Sequence, residues 1–437
     1  MTTTAFDTLP PGWRYTRLKW LLDTLESGRR EVSDTDDFDG GALSIGGEHI
    51  GWQGQWQLDN PRYVSREFFA AMASGKIQED DILLVKDGAT IGKVAIATSL
   101  PAPEAAVNEH VFLLRVSAQN HSKYYFYFIQ SSLAQDQIQL EVRGSAQPGL
   151  NSEFRNVVVA PRPPREVQRT IADYLDRETA RLDGLVAAKE RVLRLLAEKR
   201  RALITNAVTR GLDGRAPLRN SGIPWLGKIP AHWAATRLRF AAEVRGGLTL
   251  GKNYGTATLG EYPYLRVANV QDGHLDLSDV ATVLVPEAEA EVCLLEAGDV
   301  LMNEGGDADK LGRGCIWTGE IVPCLHQNHV FAVRPRLVRS EWLNACTSTE
   351  VAKAFFESRA KQSTNLASIS ATNIKELPIP VPPADEQGTI VAHIKAGTVK
   401  LDALRTATER TIALLKERRA ALIAAAVTGQ IDVGHTV

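Results

Sequence analysis

Two stretches of the chain carry apolar residues at the spacing of an amphipathic helix, one from Thr179 to Val208 and one from Leu401 to Val427. About thirty residues at roughly 1.5 Å each predict rods of about 45 Å, and an apolar stripe of that length has to be buried against a partner. Gly211 ends the first rod. We predict a coiled coil with a seam formed by Leu182, Leu185, Val192, Leu196, Leu203, Leu401, Leu404, Leu415 and Leu422.

The rest of the chain alternates short apolar runs with turns rich in glycine, aspartate and asparagine, which is typical of strands. Helical pieces are predicted at 124–139 and 342–358. The predicted strands are Ile82–Val85, Val94–Ala97, Val111–Val116, Val300–Met302 and Val330–Val333. Together these elements predict two α+β globules of roughly 160 residues, an ordinary size for one domain.

The helical stretches belong to an internal duplication. Residues 163–213 align without a gap on residues 382–432, a shift of 219 positions, and 23 of the 51 aligned residues are identical. Residues 9–23 align with residues 229–243, so the duplication includes the globules. The period is half the chain, far too long for a solenoid repeat. We therefore predict globules at 1–162 and 215–381 and helical regions at 163–214 and 382–437, with the two helices antiparallel about a pseudo-twofold axis.

Composition adds little to this picture. The 437 residues carry a net charge of -2, so no overall basic excess points to nucleic acid. We expect a cytoplasmic protein without a membrane partner, because no apolar run of membrane-spanning length and no signal peptide is present. All four cysteines lie in the second copy, so we expect them to be reduced and buried rather than paired in disulfides.

Three short motifs suggest enzymatic or metal chemistry, and each fails on inspection. Residues 246–253 nearly form a phosphate-binding loop, but Asn253 stands where a serine or threonine would hold magnesium. Residues 60–63 approach the signature of adenine methyltransferases, but Arg62 interrupts it. The set Cys315, Cys324, His326 and His329 could ligate zinc, but the first copy matches His329 with His110 and has no cysteine. We predict neither a catalytic site nor a metal site.

The two copies match again at the segments between their strands. Residues 86–93 and 303–314 are glycine-rich turns, and each is followed by a polar segment ending in His-Val-Phe, at 108–112 and 327–331. Polar loops at 143–151 and 361–368 close each globule. The scaffold is shared while the loops differ, as expected of two related modules that bind different targets.

With these features, the chain resembles the specificity subunits of Type I restriction-modification systems over nearly its whole length. The resemblance depends on a Pro-x-x-Trp-x-x-x-Arg-Leu segment that opens each globule, at 10–18 and 230–238. It also depends on a Pro-Pro-x-x-x-Gln segment at the start of each helical region and on Leu-Ile-x-x-Ala-Val-Thr near its end. The run Leu377–Pro380 keeps the usual Leu-Pro-Ile-Pro form, whereas residues 157–164 of the first copy depart from it.

The resemblance implies a non-catalytic subunit that binds double-stranded DNA at an asymmetric bipartite site, with one target-recognition domain for each half-site. The helices would set the spacer between half-sites at about one turn of DNA, roughly 34 Å. The implied partners are two modification subunits, which carry S-adenosylmethionine, and restriction or translocase subunits, which use ATP and magnesium. No cofactor is expected in this chain.

Side chains on the polar loops are the candidates for DNA contact, because arginine and lysine bind phosphates or guanine while asparagine and glutamine read adenine. For the first half-site the candidates are Lys86, Thr90, Lys93, Asn108, His110, Arg143, Ser145 and Gln147. For the second they are Lys310, Arg313, Gln327, Asn328, His329, Lys361, Ser363, Thr364 and Asn365. Two alternatives stay open: a self-contained DNA adenine methyltransferase, and a coiled-coil scaffold that does not bind DNA.

Overall fold

The chain divides into two compact units in a computed structural model that describes residues 9–31, 41–98, 102–144, 148–306, 311–362 and 367–433. The first unit combines residues up to 190 with residues from 410 onward, and the second consists of residues 191–409. The predicted DNA contacts Ser145, Gln147, Lys310, Ser363, Thr364 and Asn365 lie outside the described residues.

The first unit is an α+β domain. Its strands are β1 (Arg14–Arg17), β2 (Leu22–Ser27), β3 (Ala42–Ile45), β4 (Arg62–Val64), β5 (Ile82–Val85), β6 (Val94–Ile96), β7 (Ala105–Val107), β8 (Val111–Val116), β9 (Val142–Arg143), β10 (Gly149–Leu150) and β11 (Val159–Arg162). Its shorter helices are α1 (Arg66–Ala71), α2 (Ser122–Gln130), α3 (Ser132–Glu141) and α4 (Phe154–Val157), with 3-10 turns at Leu18–Trp20 and Gly47–His49.

A four-stranded antiparallel sheet, in the order β2-β8-β5-β6, lies at the centre of this unit. Ile82 and Leu84 of β5 face a core that includes the aromatic residues of α2, while Leu83 and Val85 face a second core built on β3 and β7. Because both faces of the sheet are buried, β5 is a continuous apolar run rather than an alternating one.

The long helix α5 (Arg165–Arg210) follows, and the second unit repeats the plan. Its strands are β12 (Leu218–Asn220), β13 (Lys228–Pro230), β14 (Ala234–Arg237), β15 (Ala242–Arg245), β16 (Gly260–Leu265), β17 (Ala281–Val285), β18 (Val300–Asn303), β19 (Gly305–Gly306), β20 (Gly314–Ile316), β21 (Leu325–His326), β22 (Val330–Pro335), β23 (Lys361–Gln362), β24 (Ala367–Ser368) and β25 (Pro378–Val381). Its helices are α6 (Leu238–Ala241), α7 (Glu287–Cys293), α8 (Ser340–Thr347), α9 (Glu350–Arg359) and α10 (Ala371–Lys375), before the long helix α11 (Ala384–Val427). The central sheet has the order β15-β22-β18-β20, with the same antiparallel pairing as in the first unit.

The five predicted strands are present, but each predicted shorter helix is two helices. The stretch 124–139 breaks at Ser131, whose hydroxyl accepts from the Ala134 N–H at 3.4 Å. The stretch 342–358 breaks before Thr349, whose hydroxyl accepts from the Ala352 N–H at 3.1 Å. Serine and threonine are favoured N-caps, so these residues start a new helix in the middle of an apolar pattern.

A glutamine in the first turn of each long helix explains the Pro-Pro-x-x-x-Gln segment. The Gln168 side-chain amide donates to the Pro163 carbonyl at 2.9 Å, and its oxygen accepts from the His121 N–H at 2.8 Å. Gln387 makes the same two bonds, to Pro382 at 2.9 Å and from the N–H of Arg339 at 3.1 Å. Each helix begins about fourteen residues or more before the predicted apolar stripe. The helix α5 has 46 residues and α11 has 44.

The helices pack antiparallel within each unit. In the first unit, the Arg419 Nε lies 3.0 Å from the Asp183 carboxylate. In the second, the Arg200 Nε lies 3.7 Å from the Asp402 carboxylate. The repeat matches Arg200 with Arg419 and Asp183 with Asp402, so one ion pair occurs twice.

The predicted seam is only partly correct. Leu182 and Leu401 are buried, and Leu196, Leu203, Leu415 and Leu422 are half-buried. Leu185, Val192 and Leu404 are instead exposed, at 41%, 39% and 55%. Toward their ends the helices are buried by the globules, and there residues outside the predicted seam, such as Ile423 and Ile204, are buried instead. The described side chains therefore bury the predicted seam at some positions and leave it exposed at Leu185, Val192 and Leu404.

Each domain core is completed by parts of both helices. Ile171, Ala172 and Leu175 of α5, and Ile423, Ala426 and Val427 of α11, lie in the same core as β5 and α2 of the first unit. In the second unit, Ile204, Ala207 and Val208 of α5 and Ile390 and Ile394 of α11 lie in the core of α8 and α9. The helices are thus structural parts of the domains.

A buried ion pair fixes one end of each central sheet. The Asp81 carboxylate, 1% exposed, accepts two hydrogen bonds from the Arg115 guanidinium of β8, at 2.8 and 2.7 Å. Asp299 and Arg334 repeat the arrangement at 2.8 and 2.9 Å. Bidentate pairing of this kind is strong and directional, and here it holds the start of one strand against the end of its neighbour.

The four cysteines are free thiols and buried, as expected. Burial raises the pKa of both Cys315 and Cys324 to about 12. None of the helices in the described part of the chain has the length and apolar character needed to cross a membrane.

Substituting Ile423 with alanine tests whether α11 completes the first domain. Ile423 is 2% exposed, and a buried isoleucine replaced by alanine costs about 2 to 5 kcal/mol. We expect amide hydrogen exchange to accelerate in β5, β8 and α2 and to stay unchanged in β18 and β22. Leu414→Ala, at a position 55% exposed on the same helix, is the control. Equal acceleration in both domains, or in neither, would contradict the assignment.

Candidate nucleic-acid interface

A polar cleft lies at one end of the central sheet of the first unit. It has a volume of about 480 Å³ and is lined by Gly47, Glu48, Val85, Asp87, Gly88, Thr90, His110 and Pro148. The cleft forms where β5 ends and β8 begins, because Val85 and Val111 are paired neighbours at this end of the sheet. Gly88 adopts a φ of +82°, which lets the turn fold back toward β6. The shared scaffold therefore brings Thr90 and His110 to one cleft.

His110 is the central side chain of this cleft. Its Nδ1 lies 3.2 Å from the Asp87 carboxylate and its Nε2 lies 3.3 Å from that of Glu109. The Asn108 side-chain oxygen accepts from the His110 N–H at 2.9 Å. The Lys86 ammonium lies 3.6 Å from Asp87 and 5.1 Å from the centre of the Phe112 ring. The imidazole is half-exposed, so it can reach a ligand while carboxylates orient it.

The polar loop after α3 is attached to this cleft. The Gly88 N–H donates to the Pro148 carbonyl at 3.1 Å, and the Leu150 N–H donates to the Lys86 carbonyl at 2.8 Å. Arg143, in the hairpin of β9 and β10, is exposed and donates to the Leu140 carbonyl at 2.6 Å. The glycine-rich turn and the polar loop therefore form one surface.

The second unit places a histidine at the corresponding point. The His329 Nδ1 lies 2.6 Å from the Glu304 carboxylate, and the His329 carbonyl accepts from the Glu304 N–H at 2.9 Å. The strand β19 pairs with β24, which pairs with β23, so Lys361 belongs to the same loop cluster. The backbone of Gln327 and Asn328 bonds to Leu265 and Leu248 at 2.9 Å each.

Lys93 and Arg313 lie elsewhere. These two cations correspond to each other, since Val94 and Gly314 occupy equivalent places beside β5 and β18. Lys93 is only 8% exposed, and its ammonium lies 5.8 Å from the centre of the Trp52 ring. Arg313 lines a separate pocket with Arg200 and Arg201 of α5. Their DNA contacts stay predictions, and the geometry favours the histidine clefts over them.

Sequence reasoning missed the carboxylates that accompany the histidines. Asp87 and Glu304 were not singled out because they do not align: Asp87 follows Lys86, and Glu304 occupies the position equivalent to Lys86. The histidines themselves were found because they recur in both copies. A carboxylate beside each histidine could have been suspected only from the presence of an acid in both glycine-rich turns.

A duplicated α+β domain with a histidine–carboxylate pair at the same end of the central sheet in each copy, combined with a pair of long helices, defines a two-site recognition protein. The family model described as "Type I restriction modification DNA specificity domain" matches residues 45–192 and 230–413. The chain therefore belongs to this family.

Relatives and solved structures agree with this membership. The chain is 24% identical over 368 residues to the Type I restriction enzyme EcoKI specificity subunit of Escherichia coli K12, covering 82% of this chain and 76% of the relative. It is 29% identical over 169 residues to a putative Type I specificity subunit, MjaX, of Methanocaldococcus jannaschii, covering 38% of this chain and 39% of that relative.

Two structures share the fold. A chain from a study of complex assembly and conformational transition of the Type I restriction-modification system superposes with a TM-score of 0.67 at 20% identity, over 97% of this chain and all of that chain. The HsdS subunit of Thermoanaerobacter tengcongensis superposes with a TM-score of 0.53 at 18% identity, over 98% of this chain and all of that chain. The predicted family and α+β fold are confirmed.

Substituting His329 with alanine tests the histidine–carboxylate pair of the second unit. Without the imidazole, the Glu304 carboxylate loses its ring partner and the ligand loses a hydrogen-bonding group. We therefore expect roughly tenfold weaker binding to a duplex that carries the host's methylated motif, which is the usual effect of losing one specific contact. Fluorescence anisotropy across a salt series measures the affinity. His274→Ala, at an exposed position of the same unit, should bind as the wild type does. Unchanged affinity of the His329 variant would remove it from the interface.

Proposed function

We propose that this chain is the DNA-recognition subunit of a Type I restriction-modification enzyme and binds an asymmetric bipartite site with one domain for each half-site. The supporting observation is the histidine–carboxylate pair at the same end of the same sheet in both units, surrounded by loops of different length and sequence. A shared frame with divergent loops is suited to reading two different sequences.

The cleft residues divide by the chemistry they can read. Lys86, Arg143 and Lys361 are suited to phosphates or guanine, and Asn108, Gln327 and Asn328 to adenine. Asp87 and Glu304 add acceptors for the amino group of cytosine. At the first site the Lys86 ammonium lies 3.6 Å from the Asp87 carboxylate and offsets its charge.

The long helices are suited to binding the catalytic partners. Leu185, Val192 and Leu404, together with Leu195 and Leu414, leave apolar side chains exposed along α5 and α11. We propose that two modification subunits, which bind S-adenosylmethionine, dock there and that restriction subunits, which use ATP and magnesium, join them. This chain contributes DNA recognition and no catalytic group, and it acts in the cytoplasm.

Exchanging residues 1–162 with those of a related subunit tests the division of labour. We expect the methylated motif to change in one half only, since the cleft of the first domain lies within those residues. Genome-wide mapping of methylated adenines measures the motif. The reciprocal exchange of residues 215–381 is the matched control and should alter the other half. A change in both halves, or methylation of DNA by the purified chain alone, would contradict the proposal.

Lengthening both helices tests whether they set the spacer. Seven residues inserted after Glu190 in α5 and after Glu409 in α11 add about two helical turns, roughly 10 Å, which corresponds to about three base pairs of DNA. We expect the methylated motif to keep both halves and gain a spacer of that length. An insertion in α11 alone should lower methylation by the assembled enzyme, because it shifts Arg419 away from Asp183. An unchanged spacer in the double insertion would refute the role.

A further inference from the structure

Each domain exposes a large aromatic side chain at the same place in the duplication. Trp20 is 69% exposed and Phe240 is 65% exposed. They align at the same step of the repeat, in Arg17-Leu18-Lys19-Trp20 and Arg237-Leu238-Arg239-Phe240. A single exposed aromatic residue needs no explanation, but the same exposure in both copies does.

The backbone holds both aromatic side chains outward. Leu18 and Leu238 are fully buried two residues earlier, and their N–H groups donate to the carbonyls of Val158 and Leu377 at 2.8 Å. A cation covers one face of each ring: the Lys19 ammonium lies 5.0 Å from the Trp20 ring centre, and the Arg239 guanidinium lies 4.7 Å from that of Phe240. The buried leucine and its backbone hydrogen bond therefore hold the aromatic side chain two residues later at the surface.

Other exposed apolar side chains lie beside each aromatic residue. In the first unit, α4 contacts the turn that carries Trp20 and ends at Val157, which is 51% exposed. In the second, the N–H of Leu337, which is 56% exposed, donates to the carbonyl of Ala241 next to Phe240 at 3.0 Å. An exposed apolar residue thus lies on a segment adjoining each aromatic residue, and we call the two together an aromatic patch.

The patches lie at the end of the central sheet opposite the histidines. Trp20 precedes Leu22, which pairs with Val116 at one end of β8, whereas Val111 at the other end borders the cleft. In the second unit, Phe240 precedes Ala242, which pairs with Pro335, whereas Val330 borders His329. A strand of six residues spans roughly 20 Å, so one DNA contact surface does not include both features of a domain.

Comparison of the two copies favours a protein over DNA as the ligand of the aromatic patches. The loops around the histidines differ, as suits two different half-sites, while the exposed aromatic residue and its neighbouring cation recur, as suits one partner bound twice. In the second unit, Glu376 pairs with Arg237 and Arg239 and offsets their charge, which would weaken any attraction for phosphate. An aromatic residue with a flanking arginine or lysine is a common anchor of protein interfaces.

We propose that Trp20 and Phe240 are equivalent anchors for two copies of the modification subunit, one on each recognition domain. This inference rests on the proposed function and adds a contact on the domains to the docking along the helices. The anchors would fix each modification subunit to the domain whose half-site it serves.

The test measures the stoichiometry and affinity of the complex between the full chain and the modification subunit. Trp20→Ala and Phe240→Ala should each leave one tight and one weakened site, with the affected site weaker by roughly 30-fold or more, as for truncated aromatic anchors. The double variant should weaken both sites. Native mass spectrometry at nanomolar concentration and titration calorimetry give the two quantities. Thermal melting should stay unchanged, because both side chains are exposed.

Matched controls use exposed apolar residues outside the patches. Trp52→Ala in the first unit and Leu284→Ala in the second, at positions 61% and 58% exposed, should keep two tight sites. Two tight sites in both anchor variants would overturn the inference and leave the proposed function intact. Reduced DNA affinity of the Trp20 variant with normal stoichiometry would make the patch a nucleic-acid contact instead. Failure of the wild-type chain to bind any modification subunit would defeat the proposed function itself.

Discussion

Burial of the apolar residues toward the ends of α5 and α11 in the two domain cores is the constraint on which the rest of the structure depends. Neither helix can leave these residues in water, and each domain needs them: Ile423 and Val427 complete the core beneath β5, and Ile204 and Val208 complete the core beside α8. Burying one such side chain stabilises the fold by about 1.5 to 3 kcal/mol. Domain stability and helix pairing are therefore coupled.

The duplication preserves contacts that hold the frame and varies those that face a ligand. The glutamine at each helix start, the buried Asp–Arg pair of each sheet and the interhelical Asp–Arg pair occur in both copies with nearly the same geometry. Around the histidines, the partners differ in position and type, from Asp87 to Glu304. Buried, directional contacts tolerate little change, whereas exposed loops tolerate much.

The sequence was sufficient for the strands, the family and the existence of the long helices, because these depend on periodicity and on the repeat. It was insufficient where one polar residue overrides a pattern, as Ser131 and Thr349 do when they start new helices. Spacing alone did not indicate that Leu185, Val192 and Leu404 would be exposed, since it cannot show that the domains bury the ends of the helices rather than their central positions. Lys93 shows the limit for the site: a lysine in a polar turn can lie against Trp52 and be nearly buried.

Each long helix ends at a glycine that packs against a domain which the helix helps to complete. The order in which the two helices are synthesised therefore sets the order in which the two domains can finish folding. Gly211, at a φ of +73°, lies against Trp233 of the second domain, and Gly429, at a φ of +72°, lies against Trp13 of the first. During synthesis the second domain has all its pieces once residue 409 has left the ribosome, while the first domain still lacks Ile423 and Val427. Domains usually fold in the order in which they are made. Here the domain translated first is the last to be completed, and it has to keep an open core until the final helix arrives.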